Sequence, residues 1–178
     1  MREKREDLEL AMETLFLMLE KEIQPNIMTY GALARCCKRP SYVRKFLKDL
    51  KNLEVKPNVV VMNTLITSMA VKLDVKTVHF LLRYCAIEQV KVNKQLIHSV
   101  ERFYQTYKKM IILKEKGEFA PKSVDYEFKR GLKSWEAFVD YYPIWLTEVG
   151  ADLTNNALDQ YKTIKDAKDE EWRRKNKS

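Results

Sequence analysis

Glycine is scarce in this chain, with four among 178 residues, and proline is hardly commoner, with five. An all-β protein needs many tight turns, so so few turn-formers argue against one; abundant Leu, Lys and Glu suit helices instead. Three cysteines, two of them the adjacent Cys36 and Cys37, make no disulfide framework, and an odd count points to a reducing interior. No apolar run approaches the roughly 20 residues needed to cross a bilayer. The opening MREKREDLEL has no apolar signal core, and its Glu and Asp argue against a transit peptide. There is no glycine-rich phosphate loop and no nucleophile motif. What remains is 46% apolar residues, enough for one folded domain, and the expectation is an all-α fold.

One phrase occurs twice. IQPNIMTYGALA, from Ile23 to Ala34, is reworded as VKPNVVVMNTLI, from Val55 to Ile66, giving a period of 32 residues between the Pro-Asn pairs. A third boundary, VKVNKQLIHSV, puts Asn93 35 residues after Asn58, with Val92 in place of proline. Each boundary is followed by an apolar helical pattern, a break and a second pattern. In the middle unit Val60, Asn63, Thr64, Thr67 and Val71 share a stripe, and Asp74 is placed to cap a second helix running to about Gln89. Two helices per unit of about 35 residues describe a solenoid of helical hairpins.

KPNVVVMNTLITSMAVKLDVKTVHFLLRYCAIEQVKVN resembles a pentatricopeptide repeat, whose units start V-x-Y-N-x-L-I and end K-P-D or K-P-N. Asn63, Leu65 and Ile66 stand at the motif positions, with Met62 where Tyr is usual. The unit 27–58 keeps Thr29, Tyr30 and Leu33 but is shortened to 32 residues at CCKRPSY, whereas 59–93 has the family's 35. Residues 1–26 resemble the second half of an incoming repeat through Leu15, Phe16 and Met18, and 94–120 read as a degenerate repeat or long helix. The resemblance implies a right-handed α-solenoid, and 121–178 are read as a C-terminal helical cap with a charged tail. Tetratricopeptide repeats share the hairpin but prefer 34 residues and other motif positions; a protein-protein interaction scaffold of that kind is the structural alternative. A second helix without its first leaves Leu8, Ala11, Leu15, Met18 and Leu19 of the incoming unit expected to lack a partner, so the chain is read as starting mid-solenoid, as a piece of a longer protein.

Charge is local. Residues 27–93 hold 12 Lys or Arg against four acids, an excess equal to the whole chain's +8. Positive charge concentrated on repeats points to a polyanion such as RNA, with a solvated basic surface as the plain alternative. By the resemblance, the fifth and last residues of a unit face a base edge, and second residues of adjacent units clamp the base. That implies Asn63 with Asn93 as a pyrimidine-preferring reading pair and Val60 with Gln95 as its clamp. The preceding unit offers Gly31 and Asn58 between Met28 and Val60; Asn26 closes the incoming unit, and His98 takes the fifth position of the next. Asn presents both a donor and an acceptor, which suits the edge of an unpaired base. The same Asn26, Asn58 and Asn93 are also good helix N-caps, and the two roles are compatible.

Beyond the repeats, Lys94 to about Lys116 reads as one helix stopped near Gly117 and Pro121. Val124, Phe128, Leu132, Trp135, Phe138 and Tyr142 mark a second, with a break expected at Pro143 and a short helix ending at Gly150. Asn155 or Asn156 is positioned to cap a last, highly charged helix. Trp135, Tyr141, Tyr142 and Trp145 are read as packed interior, with base stacking or partner binding as the alternative. Asp166, Asp169, Glu170 and Glu171 are interleaved with lysines as in a solvated helix, and Cys36, Cys37, Cys85, His79 and His98 lack zinc spacing. The reading is therefore of no enzyme, no metal and no cofactor. The resemblance implies an RNA-binding protein of the animal mitochondrial type, placed in the matrix and acting in RNA processing, tRNA processing, stability or translation. Its partners would be mitochondrial transcripts, tRNA or rRNA, and proteins of an RNA-processing or ribosomal assembly.

Overall fold

A computed structural model describes residues 3–117 and 122–150; the expected charged tail and its acidic residues lie outside them. Among the described residues there are seven helices and no strand: α1 (Glu3–Glu20), α2 (Ile27–Cys36), α3 (Pro40–Asn52), α4 (Val59–Val71), α5 (Val75–Ile87), α6 (Lys94–Glu115) and α7 (Lys122–Glu148). The chain is all-α, as its composition implied.

The joints between helices are built by one recurring device. After α1, α3 and α5 a residue enters the left-handed region, Glu22 at φ 58°, Glu54 at φ 56° and Gln89 at φ 52°. The amide of the next residue then reaches back to a carbonyl in the last turn: Ile23 to Met18 at 2.8 Å, Val55 to Leu50 at 2.9 Å, Val90 to Cys85 at 2.9 Å. This is a Schellman ending, which satisfies carbonyls that the helix itself leaves open. Three residues after the apolar Ile23, Val55 or Val90 comes an asparagine that starts the following helix. The Asn26 carbonyl oxygen accepts from the Met28 and Thr29 amides at 2.9 and 3.1 Å, that of Asn58 from Val60 and Val61 at 2.9 and 3.0 Å, and that of Asn93 from Leu96 at 2.9 Å. Leu73, at φ 56°, makes the same left-handed ending between α4 and α5. The repeated phrase of the sequence is thus a helix stop followed at once by a helix start.

These joints fold successive helices into two layers. In one, α2 lies beside α4 and α4 beside α6; in the other, α5 lies beside α7 and the Arg44 guanidinium of α3 sits 4.5 Å over the Phe80 ring of α5. Between them runs one apolar core, including Phe46 and Leu50 of α3, Leu65 and Met69 of α4, Leu81 and Cys85 of α5, and Val100 and Tyr107 of α6, none exposed by more than a trace. The three residues missing from the shortened 27–58 stretch come out of α2, which has 10 residues to the 13 of α4. Pro40 then opens α3 at its first turn, where a missing N–H costs nothing. On α4 the stripe of Val60, Thr67 and Val71 is the outward face, and Val61, Met62, Leu65, Ile66 and Met69 fill the core.

Two expectations are overturned. The face of α1 expected to lack a partner does not: Leu8, Met12 and Leu15 are buried, because α1 packs on α2. The apolar groups left open on α1 are Leu10, Phe16 and Leu17, on other sides of the helix. The break expected at Pro143 is also absent, since α7 continues through it to Glu148. Proline removes its own N–H from the ladder and crowds the carbonyl four residues back with its ring. With Tyr142 and Trp145 buried on either side of it, packing holds the helix together across that gap.

Aromatic rings fill the space between α6 and α7. Tyr104 stacks on Trp135 at 5.4 Å between centroids and on Tyr142 at 5.4 Å, while Tyr107 stacks on Trp135 at 4.6 Å. The Tyr107 hydroxyl donates to the Phe128 carbonyl at 2.7 Å, and that of Tyr142 to the buried Glu101. Trp135, Tyr142 and Trp145 therefore serve as interior. At the other end of the α7 contact, Asp74 accepts from the Thr77 amide at 3.0 Å as the α5 cap and from Arg130 at 3.0 Å. Gly131 is needed beside it: an added Cβ would stand 3.1 Å from the Leu73 carbonyl oxygen and against the Tyr107 hydroxyl, which its own bond holds in place.

Two stability changes of opposite sign follow. Glu54→Gly should raise the melting temperature by about 3 °C, corresponding to about 1 kcal/mol of relieved left-handed strain, in a thermal melt followed by circular dichroism. Gly131→Ala should cost about 2 kcal/mol in urea unfolding, because the side chain overpacks against backbone rather than a movable tip.

Candidate nucleic-acid interface

The first-helix layer of α2, α4 and α6 presents the residues that the sequence pattern singled out. Met28, Val60 and Gln95 each stand one residue into a helix after its Asn cap, and all three are exposed, Met28 at 70% and Val60 at 43%. Three residues further on, Gly31 is buried while Asn63 and His98 are half-buried. Helical geometry sets this alternation: residues one turn apart share a face, and the later one lies closer to the neighbouring helix. The Val60 methyl covers Gly31, 3.7 Å from where its Cβ would be. Gly31 thus brings no side chain to the outer face of α2, and of that pair only Asn58, the α4 cap, has one.

Asn63 carries the most informative atom of the layer. Its carbonyl oxygen is buried and has no hydrogen-bond partner, among the packed residues of α4. Leaving an amide acceptor unpaired costs on the order of 1–3 kcal/mol. Asn93 differs, since its carbonyl oxygen is committed to the α6 cap and its NH2 is what it can offer a further partner. Asn26 and Asn58 are committed in the same way at their own helices. Capping therefore takes the carbonyl end of each of these three amides and leaves its NH2 end.

Pattern reasoning missed the groove beyond these positions. Between the C-terminal half of α4 and α6 lies a cavity of about 320 Å³ lined by Thr67, Val71, His98, Ser99, Arg102 and Thr106. Arg102 stands one turn beyond His98 on α6. The i, i+4 spacing was visible in sequence, but only the side-by-side packing of α4 and α6 makes it a groove wall. Basic residues are rare on the first two helices of this layer, with none on α4 and only Arg35 on α2, whereas α6 also carries Lys94, Lys108, Lys109 and Lys114.

Other reactive side chains are structural. Burial pushes the Cys37 and Cys85 thiols up to about 12, with Cys36 adding to the effect on Cys37, so neither is a thiolate near neutral pH. Burial, helped by the nearby Arg83, lowers His79, whose ring lies 5.3 Å from that of Tyr141. Among the described residues no three His, Cys, Asp or Glu side chains come together as a metal site. Nor is any described helix long and apolar enough to cross a membrane.

Residues 3–39 match a model of the pentatricopeptide repeat domain. The chain is 30% identical over 146 residues to pentatricopeptide repeat-containing protein 1, mitochondrial, of Rattus norvegicus, covering 82% of this chain and 20% of that protein. To the protein of the same name in Mus musculus it is 29% identical over 147 residues, with 82% and 19% covered, and to that of Homo sapiens 27% over 158 residues, with 88% and 21% covered. The chain spans about a fifth of the length of these relatives.

Replacing Asn58 by Ala should destabilise the chain by about 1 kcal/mol, because two α4 amides lose their cap. A lowered denaturation midpoint with unchanged slope in urea would register that loss; no change would mean that the cap bonds contribute nothing.

Proposed function

We propose that this chain, which carries the pentatricopeptide repeat and is similar to mitochondrial proteins of that name, binds single-stranded RNA along the layer of α2, α4 and α6. Pentatricopeptide repeat proteins are in general RNA-binding helical repeats, and the names of the relatives support a mitochondrial location. The observation that carries the reading is the unpartnered buried carbonyl oxygen of Asn63, lying on the layer that exposes Val60 and Gln95. In this reading Val60 and Gln95 hold a base between them, and Asn63 and Asn93 meet its edge. Asn93 donates through the NH2 that capping leaves over, which favours a base presenting a carbonyl, as pyrimidines do. Bases are then taken one per unit, with 27–58 and 59–93 as the complete units, 1–26 and 94–120 as flanking partial ones, and 121–178 sealing a right-handed array. Met28, Asn58 and Asn26 contact the RNA with little discrimination, since the buried Gly31 offers no side chain at its position.

Processing, stability or translation of mitochondrial transcripts, tRNA or rRNA would be the setting for such binding, with proteins of an RNA-processing or ribosomal assembly as further partners. No chemistry is assigned to the chain itself.

A salt-dependent titration tests the reading. The chain should bind a uridine-rich RNA of about ten nucleotides with micromolar affinity that falls as salt rises. An Asn63→Ala, Asn93→Ala double variant should lose about tenfold, corresponding to about 1.4 kcal/mol, and should lose its preference for uridine over adenosine. Absence of binding at low salt, or equal binding by the double variant, would overturn the assignment.

A further inference from the structure

The charge that marks this chain as a binder of polyanions does not lie on the layer that would read bases. Of the basic residues between 27 and 93, Arg44, Lys45, Lys48 and Lys51 are on α3, and Lys76 and Arg83 are on α5; the two helices carry one acid between them, the half-buried Asp49. On α3 the four basic residues are all exposed, and they occupy the side opposite the buried Val43, Phe46, Leu47 and Leu50. Arg44, Lys48 and Lys51 follow at spacings of four and three, so one helix turn, about 5 Å, separates successive charges.

The neighbouring helix extends this stripe rather than ending it. Lys76, Phe80 and Arg83 share the outward side of α5, and the Arg44 guanidinium lies 4.5 Å over the Phe80 ring between them. That cation–π contact joins the two rows of charge and fixes Arg44 without neutralising it. A solvated helix face usually mixes both signs, whereas the exposed side of α3 does not. Lys is depleted where proteins dock on proteins, and α3 has no large exposed apolar residue to anchor such a contact. Evenly spaced charge of one sign without an apolar centre fits a ligand that carries evenly spaced charge of the other sign.

We infer that the outer face of α3 and α5, centred on Arg44, Lys45, Lys48 and Lys51, is a second RNA contact that holds phosphate backbone on the opposite layer from the base-reading helices. The inference rests on the RNA-binding reading above and adds a separate surface to it. Binding there carries no sequence information, because Lys and Arg meet only phosphates. It supplies affinity and salt dependence that α2 and α4, with Arg35 as their one charged side chain, do not.

Lys45→Gln, Lys48→Gln, Lys51→Gln, prepared in one chain, tests the surface against the same uridine-rich RNA at several salt concentrations. The triple variant should bind about tenfold more weakly and lower the slope of log affinity on log salt by about 2, while keeping the preference for uridine over adenosine. The Asn63→Ala, Asn93→Ala chain should show the reverse, with an altered base preference and an unchanged slope. If the unaltered chain binds no RNA, both readings fall. Unchanged affinity and slope in the triple variant overturn this inference alone and leave the face to an acidic protein. A second readout needs no variant: bound RNA should protect Lys45, Lys48 and Lys51 from acetylation in the unaltered chain, and equal labelling with and without RNA would count against the outer contact.

Discussion

Everything in this architecture depends on how one helix is stopped and the next started within a few residues. The left-handed residue turns the chain, the apolar residue after it anchors the turn to the helix just finished, and the asparagine supplies acceptors to the helix about to begin. Because Glu22, Glu54 and Gln89 use the same conformation, the three joints turn the chain in the same way. Repetition of a local hydrogen-bond pattern thereby becomes repetition of helix packing. First helices meet first helices and second helices meet second helices, so each hairpin extends the core of the last.

The longer helices α6 and α7 obey the same layering but use other chemistry to dock. Where earlier helices meet through aliphatic side chains, these two meet through stacked rings and a few buried polar contacts. Tyr142 donates to Glu101, Tyr107 to the Phe128 carbonyl, and Arg130 reaches the carboxylate that caps α5. Each contact has a defined partner, so α7 is held in one register instead of sliding along an apolar surface. Gly131 lets that register close, since no side chain intervenes where α7 crosses the end of α4. A hydrogen bond lost at Pro143 is tolerable in a helix gripped on both sides of the proline.

Within 27–93 the layering separates charge from the first helices α2 and α4. A positively charged repeat segment looks uniform along the chain, yet its basic residues concentrate in second helices and turns. On α2 and α4 the side chains are mostly uncharged, with Arg35 the exception, whereas α6 carries both signs. Asparagine serves both levels at once. Its carbonyl oxygen builds the joint at Asn26, Asn58 and Asn93, and its NH2 remains for what lies beyond.

Helical class, the apolar patterns and the capping asparagines were legible in the sequence by itself, because they rest on local rules: spacing of apolar residues and the affinity of Asn for a helix start. The candidate site was legible as a set of positions, Val60, Asn63, Asn93 and Gln95, through likeness to a repeat. Local rules could not tell that Glu and Gln, in a chain with so few glycines, would take left-handed conformations; the backbone bonds of Ile23, Val55 and Val90 to the helix just ended, with Val55 and Val90 also packed on the core, offset that strain. Nor could they tell that helix α7 would run through Pro143, or that α1 would bury Leu8 and Leu15 against α2. Those outcomes depend on which helix lies beside which. The same is true of Asn63, whose unpartnered oxygen, and of Arg44, whose place over Phe80, exist only once distant turns of the chain have been brought side by side.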